Sequence, residues 1–360
     1  MRRMILLLLL AAMLCVPACA VDISETAGVE DMISALPEEA ERLMGDISLT
    51  DSTDLGGGLE TVLSSAAEEA DGILKNGVSL CLEILAVVLL SALLREFSGD
   101  SAQSAMHLAG TLAVGMIAVG QISSFFTRAA ETVNEMTTFS GFLFTTLAAA
   151  TAAGGSVGKA GALYGVTVAI CGGMTKLLEA LLLPAISCFT ALTIANSAVG
   201  DGSLKIAADT IKQVLTGVMK VAVIGFTAYL SLTGVVSGSA DSAAVKAAKL
   251  TISTAVPVVG SLLSDASETL LVSAGLLRSG VGVFGLLAVL AVSILPFLET
   301  GCSYLLLKFT AAGAGVLGEK QLSSLIGGLA DAMGLLAAVT GVCALILMIG
   351  CVCFMGGIGL

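Results

Sequence analysis

The chain has 360 residues, 56% hydrophobic and 12% charged, with a formal net charge of −12 and a mean hydropathy of +1.02. A water-soluble fold of this length needs far more charge to cover its surface, so an ordinary soluble domain is excluded. Residues 21–71 hold fourteen Asp or Glu against Arg42 alone, while the remainder is close to neutral and offers no basic face for nucleic acid.

In chain order, "MRRMILLLLLAAMLCVPACA" (1–20) has a basic start, an apolar centre and a closing Ala18-Cys19-Ala20. This pattern predicts a secretory signal peptide cut before Val21. Pro17 argues against lipid attachment at Cys19. Residues 21–76 then form an acidic extracytoplasmic helical segment. Within it Leu36, Leu43 and Ile47 line one side of a short helix, with Pro37 in its first turn and Glu38 and Glu39 at its positive end. Gly56-Gly57-Gly58 is expected to break the chain before a second helix, "LETVLSSAAEEADGIL".

From residue 77 to 360 the pattern is that of a polytopic membrane domain. Apolar runs near the ~20 residues needed to cross a bilayer fall at 78–94, 105–126, 177–199, 213–236, 281–299 and 334–358. Gly-broken shorter runs lie at 141–175 and, around Lys308, at 302–317. The fold class is therefore all-α, a polytopic integral membrane helical bundle of six to eight spans. The 42 glycines suit helices that approach closely. Lys and Arg in the loops are too few to orient the spans beyond the first.

Two nucleotide-binding patterns fail on inspection. "AGGSVGKA" (153–160) has Ala160 where a magnesium-binding hydroxyl belongs, and Gly313, Gly315 and Gly318 spell G-x-G-x-x-G at the end of an apolar helix, without a leading strand. His107 is the single histidine and has no recognisable partner spacing, so no nucleophile–base pair or zinc site emerges. Cys351-Val-Cys353 and the other mature-chain cysteines read as small apolar packing residues. The chain is not expected to be an enzyme, and no metal or cofactor is implied.

Four charges fall inside apolar runs: Glu83, Glu179, Lys220 and Lys308. Such positions mark a pathway or assembly role by default. The alternative is that the lysines extend to the interface and the carboxylates pair near helix ends. Glu83 and Lys220 are the deeper candidates.

Residues 247–270, "AAKLTISTAVPVVGSLLSDASETL", are different again. Ile252, Val256, Val259, Leu263, Ala266 and Leu270 form one helical stripe, opposite Thr254, Ser261, Asp265 and Glu268. Pro257 removes a helical hydrogen bond and restarts or kinks the turn. An amphipathic or re-entrant segment is expected around 240–278. Lys249, Pro257, Asp265 and Glu268 are candidate assembly or pathway residues, alongside Glu83 and Lys220.

The run "AAVKAAKLTISTAVPVVGSLLSDASETLLVSAGLLRSGVGVFG" resembles the stage III sporulation protein AE family of endospore-forming bacteria, in its Lys-rich start, "VPVVG" turn, "DASETL" and Gly-punctuated next span. The leader, the early "LPEE" and the polytopic remainder agree in order. The resemblance implies a non-catalytic role in the channel or secretion-like assembly joining mother cell and forespore after engulfment. It implies as partners the sibling stage III membrane proteins and a forespore-side protein. It places the chain in the mother-cell-derived membrane, with residues 21–76 in the intermembrane space. The competing reading is a self-sufficient secondary transporter, with the Gly-broken runs, Lys159 and Lys308 marking discontinuous helices.

Overall fold

Backbone groups withdrawn from water must pair within their own segment, and helices do this without help from neighbours. The computed structural model describes residues 29–45, 47, 55–97, 100–153, 157–199, 202–232 and 280–356, and no strand occurs among them. Residues 1–20, where the sequence predicts a signal peptide, and the stretch around 240–278, with Lys249, Pro257, Asp265 and Glu268, lie outside the described residues.

Two short helices come first, α1 (Val29–Ser34) and α2 (Glu38–Met44). Pro37 holds extended φ/ψ at the N-cap of α2, Glu38, Glu39 and Glu41 fill the first turn, and Arg42 sits in the last. That charge order complements the helix dipole. Leu43 is buried, and Leu36 and Ile47 pack against the same core, as their spacing predicts.

Long helices follow: α3 (Leu55–Phe97), α4 (Asp100–Ala153), α5 (Val157–Leu177), a π-helical turn (Leu178–Leu182) running into α6 (Leu183–Val199), α7 (Lys205–Leu232), α8 (Gly280–Val316) and α9 (Lys320–Gly356). Pro184 follows the π turn; its missing N–H would have bonded to Ala180, inside the widened turn.

Three sequence boundaries are corrected. The triple glycine does not break the chain: α3 begins at Leu55, and Gly58 lies against Leu287, where a side chain would clash. The following stretch is not a separate helix but the first half of α3. The runs at 281–299 and 302–317 are one helix, α8, with Pro296 inside it. Membrane-type helices tolerate such a proline when neighbouring side chains re-satisfy the backbone, and the Thr300 hydroxyl donates to the Pro296 carbonyl at 2.7 Å.

α8 and α9 form the central antiparallel hairpin. Gly318, at φ +79°, closes it: its N–H bonds to the Gly315 carbonyl and the Glu319 N–H to Ala314, a Schellman turn. Along the hairpin, Gly334 faces Tyr304 and Gly341 faces Phe297, so the two backbones lie close. The other helices surround this pair. α3 runs parallel to α8, with Gly58 beside Leu287 and Gly77 beside Leu306. α4 runs antiparallel to α8, with Leu143 over Gly285. α5 and α6 lie along α9, placing Cys171 at Gly350 and Thr193 at Gly328. α7 packs on α6 and α9.

This register gathers Phe97, Val199, Lys205, Val316 and Lys320 at one bundle end. It puts Leu55, Val157, Gly280 and Gly356 at the other. At 1.5 Å per residue α8 is about 55 Å long and α4 about 80 Å, against a hydrocarbon core of about 30 Å. Exposed large apolar side chains cluster in the half nearest the first end: Leu93, Phe97, Met116, Val221, Phe309 and Val316 among them. In the other half α3 exposes Glu60, Glu68 and Asp71, while the apolar start of α8 is buried by its neighbours.

Candidate functional site

Charged side chains inside this bundle are held by partners on other helices, and three such clusters stand out.

The first joins α2, α4 and α8. Arg128 Nη1 donates to both oxygens of Glu299 at 3.0 Å, and its Nη2 lies 3.5 Å from Glu39. One guanidinium thus ties the acidic helix α2 to the bundle, using the donor fork that suits carboxylates. Beside it a polar recess of about 250 Å³ opens between α3, α4 and α8, lined by Asn76, Ser79, Glu83, Gln121, Ser124 and Glu299 among others. The sequence candidate Glu83 therefore sits on this recess with a second carboxylate. Amides and hydroxyls at this depth solvate charge and accommodate water; they supply no nucleophile–base pair.

The second cluster joins α7, α8 and α9. Lys212 Nζ and Lys308 Nζ each lie 2.7 Å from a different oxygen of Asp331. Lys308 also donates to the Gly327 carbonyl at 3.4 Å and stands 5.7 Å from the Tyr304 ring centroid, a cation–π distance. The third cluster closes the hairpin tip: Arg95 of α3 pairs with the fully buried Glu319 at 3.3 Å and donates to the Gly318 carbonyl at 3.4 Å.

Of the residues singled out from sequence, Glu83 lines the recess, Lys308 enters the second cluster, and Lys220 is exposed on α7. Gly225 of α7 lies by Met174 of α5, so in this antiparallel pair Lys220 falls at about the height of Glu179. Glu83 and Lys220 are not brought together, since α3 and α7 share no substantial packing. Sequence reading missed Asp331, Arg128, Glu299 and Glu319 as partners. Glu299, at the close of the 281–299 run, carried a usable signal, whereas Asp331 falls just before the 334–358 run.

Cys81, Cys171, Cys343 and Cys351 are buried as the packing reading expects, whereas Cys188 is exposed. Among the described residues no group of three His, Cys, Asp or Glu is placed to hold a metal ion. The continuity of α8 removes the discontinuous helix that the transporter reading required at 301–317.

Six helices among the described residues are long and apolar enough to cross a membrane, and together with the interhelical ion pairs they define a multi-pass, all-α membrane protein. The family model described as Stage III sporulation protein AE matches residues 40–357, and the chain belongs to that family. Stage III sporulation protein AE of Bacillus subtilis (strain 168) is 21% identical over 243 residues, 67% of this chain and 61% of that relative. The matched stretch thus spans less than two thirds of the relative's length. No solved structure matches the chain.

Proposed function

We propose that this protein is a membrane subunit of the channel or secretion-like complex that links mother cell and forespore after engulfment. Family membership over residues 40–357 is the observation that carries this reading. The protein acts as a structural part of the complex, through contacts with the other stage III membrane proteins and a forespore-side protein.

The predicted leader supports an orientation. With residues 21–76 outside the cytoplasm, the bundle end that bears the apolar girdle, with Arg95, Lys205 and Lys320, faces the cytoplasm. About 30 Å above it, the thickness of a hydrocarbon core, stand Lys75, Arg128, Lys176, Glu179 and Glu299. The bilayer then surrounds the lower half of the bundle, in the mother-cell-derived membrane. The upper half, with α1, α2 and the acidic face of α3, projects into the intermembrane space as an assembly surface.

Gentle solubilisation of membranes from sporulating cells, followed by affinity capture of the tagged chain, tests this. Co-purification of the other stage III membrane proteins is expected; capture of the chain alone contradicts the proposal.

A further inference from the structure

α7 and α8 both pack on α9 but share no substantial packing with each other. They leave a groove whose floor carries Ser324, Gly327 and Asp331, spaced by three and four residues on one face of α9. Ser324 is exposed and Gly327 half-buried, so the floor is small and open to a close backbone approach. Lys212 reaches in from one wall and Lys308 from the other, onto the single carboxylate of Asp331.

Among the described residues this cluster has two cations and one anion. Asp209, one turn from Lys212, is exposed and forms no ion pair with it, and Glu319 is engaged by Arg95 at the hairpin tip. One positive charge is left over. The Lys308 side chain is 39% exposed, between the lipid-type surface residues Leu305 at 53% and Phe309 at 75%. Counting the rise along each helix places the three charged side chains about 10–17 Å inside the bundle end. With the girdle in lipid, that is the middle of the hydrocarbon core, where an uncompensated cation is costly. Lipid phosphates lie at the interface and not at this depth.

We propose that the groove between α7 and α8 docks a transmembrane helix of a partner protein carrying a carboxylate at mid-depth. That carboxylate neutralises the surplus lysine charge, and its helix lies against the Ser324–Gly327 floor. The inference rests on charge, shape and the bilayer depth given by the apolar girdle, and stands independently of the sporulation-complex reading.

The test uses full-length protein in phosphatidylcholine vesicles and a single-span polyleucine peptide with one central Glu, with binding read by energy transfer between fluorophores. The Glu peptide is expected to bind about tenfold more tightly than its Gln counterpart, the scale of interhelical polar contacts in model peptides. Lys308→Met leaves Lys212 and Asp331 as a neutral pair, and it should abolish the preference without unfolding the bundle; Lys308→Arg should keep it. Equal binding of Glu and Gln peptides to a bundle of native helicity would overturn the proposal. So would displacement of the peptide by phosphatidylglycerol, which would make a lipid phosphate the occupant. A disulfide between Leu305→Cys and Asp265→Cys of the same chain would overturn it as well, by giving the groove to the chain's own segment.

Discussion

Arg128 on α4 holds both carboxylate oxygens of Glu299 on α8 at 3.0 Å, across 171 positions of sequence. The Glu299 side chain is 22% exposed and Arg128 is 48% exposed, so the contact lies between a surface pair and a buried one. Arg128→Met strands a half-buried carboxylate and loosens α2, which Arg128 also reaches through Glu39. The expected loss is about 1–3 kcal/mol, between the values for exposed and buried pairs, read by thermal unfolding in detergent. The double variant Arg128→Met/Glu299→Gln should lose less than the sum of the single losses, because it leaves no charge unpartnered.

Much of this architecture is legible in the sequence, for physical reasons. Crossing a bilayer demands some twenty apolar residues, and every described helix that is long and apolar enough contains a run visible from hydropathy. Of the expected apolar side Leu36, Leu43 and Ile47, only Leu43 lies on α2, while Leu36 and Ile47 flank the helix and pack against the core. Helix continuity was harder to read: Glu299-Thr300-Gly301 resembles a loop in hydropathy, yet in the fold it is the interior turn of α8 facing Arg128. The charge pairings were hidden for a different reason. Lys212 and Asp331 are 119 positions apart, and no local spacing reports that α7 and α9 place them together.

One glycine of the central hairpin and one on α4 give a paired stability test of opposite sign. A Cβ at Gly334 would stand 2.9 Å from the Tyr304 ring, so Gly334→Ala must displace an aromatic wedged between α8 and α9. Overpacking of this kind costs about 1–3 kcal/mol. Gly141 is exposed within α4, with open space for 4 Å around the position a Cβ would take. Gly141→Ala should therefore gain up to about 1 kcal/mol from helix propensity. Unfolding midpoints of the two variants should move in opposite directions, and a shared direction would show that the hairpin contact is wrong.

Thiol labelling checks the placement of the bilayer. Cys188 is exposed on α6 about 17 Å from the Lys205–Lys320 end, a height that the proposed bilayer position puts within the lipid. A membrane-impermeant maleimide should leave it unmodified in membranes and modify it after detergent extraction. Glu68→Cys should react from the intermembrane side, and Lys320→Cys only when the cytoplasmic face is opened. Ready labelling of Cys188 in sealed membranes would move the bilayer off this half of the bundle.

The amphipathic stretch that the sequence assigns around 240–278 carries its own prediction. Replacing Asp265 and Glu268 together by Leu removes the charges from its polar face while raising its apolar character. Membrane insertion should stay intact, and co-purification with the other stage III membrane proteins should fall together with spore yield. Unchanged spore yield would reduce the segment to an ordinary surface helix.

As a subunit of the proposed complex, the chain should be required to sustain the engulfed forespore. A clean deletion in the source organism, with time-lapse imaging of engulfed forespores that carry a late forespore transcription reporter, tests this. Small or collapsing forespores with a silent reporter, both restored by complementation, are expected. Normal forespores, an active reporter and full spore yield would contradict it.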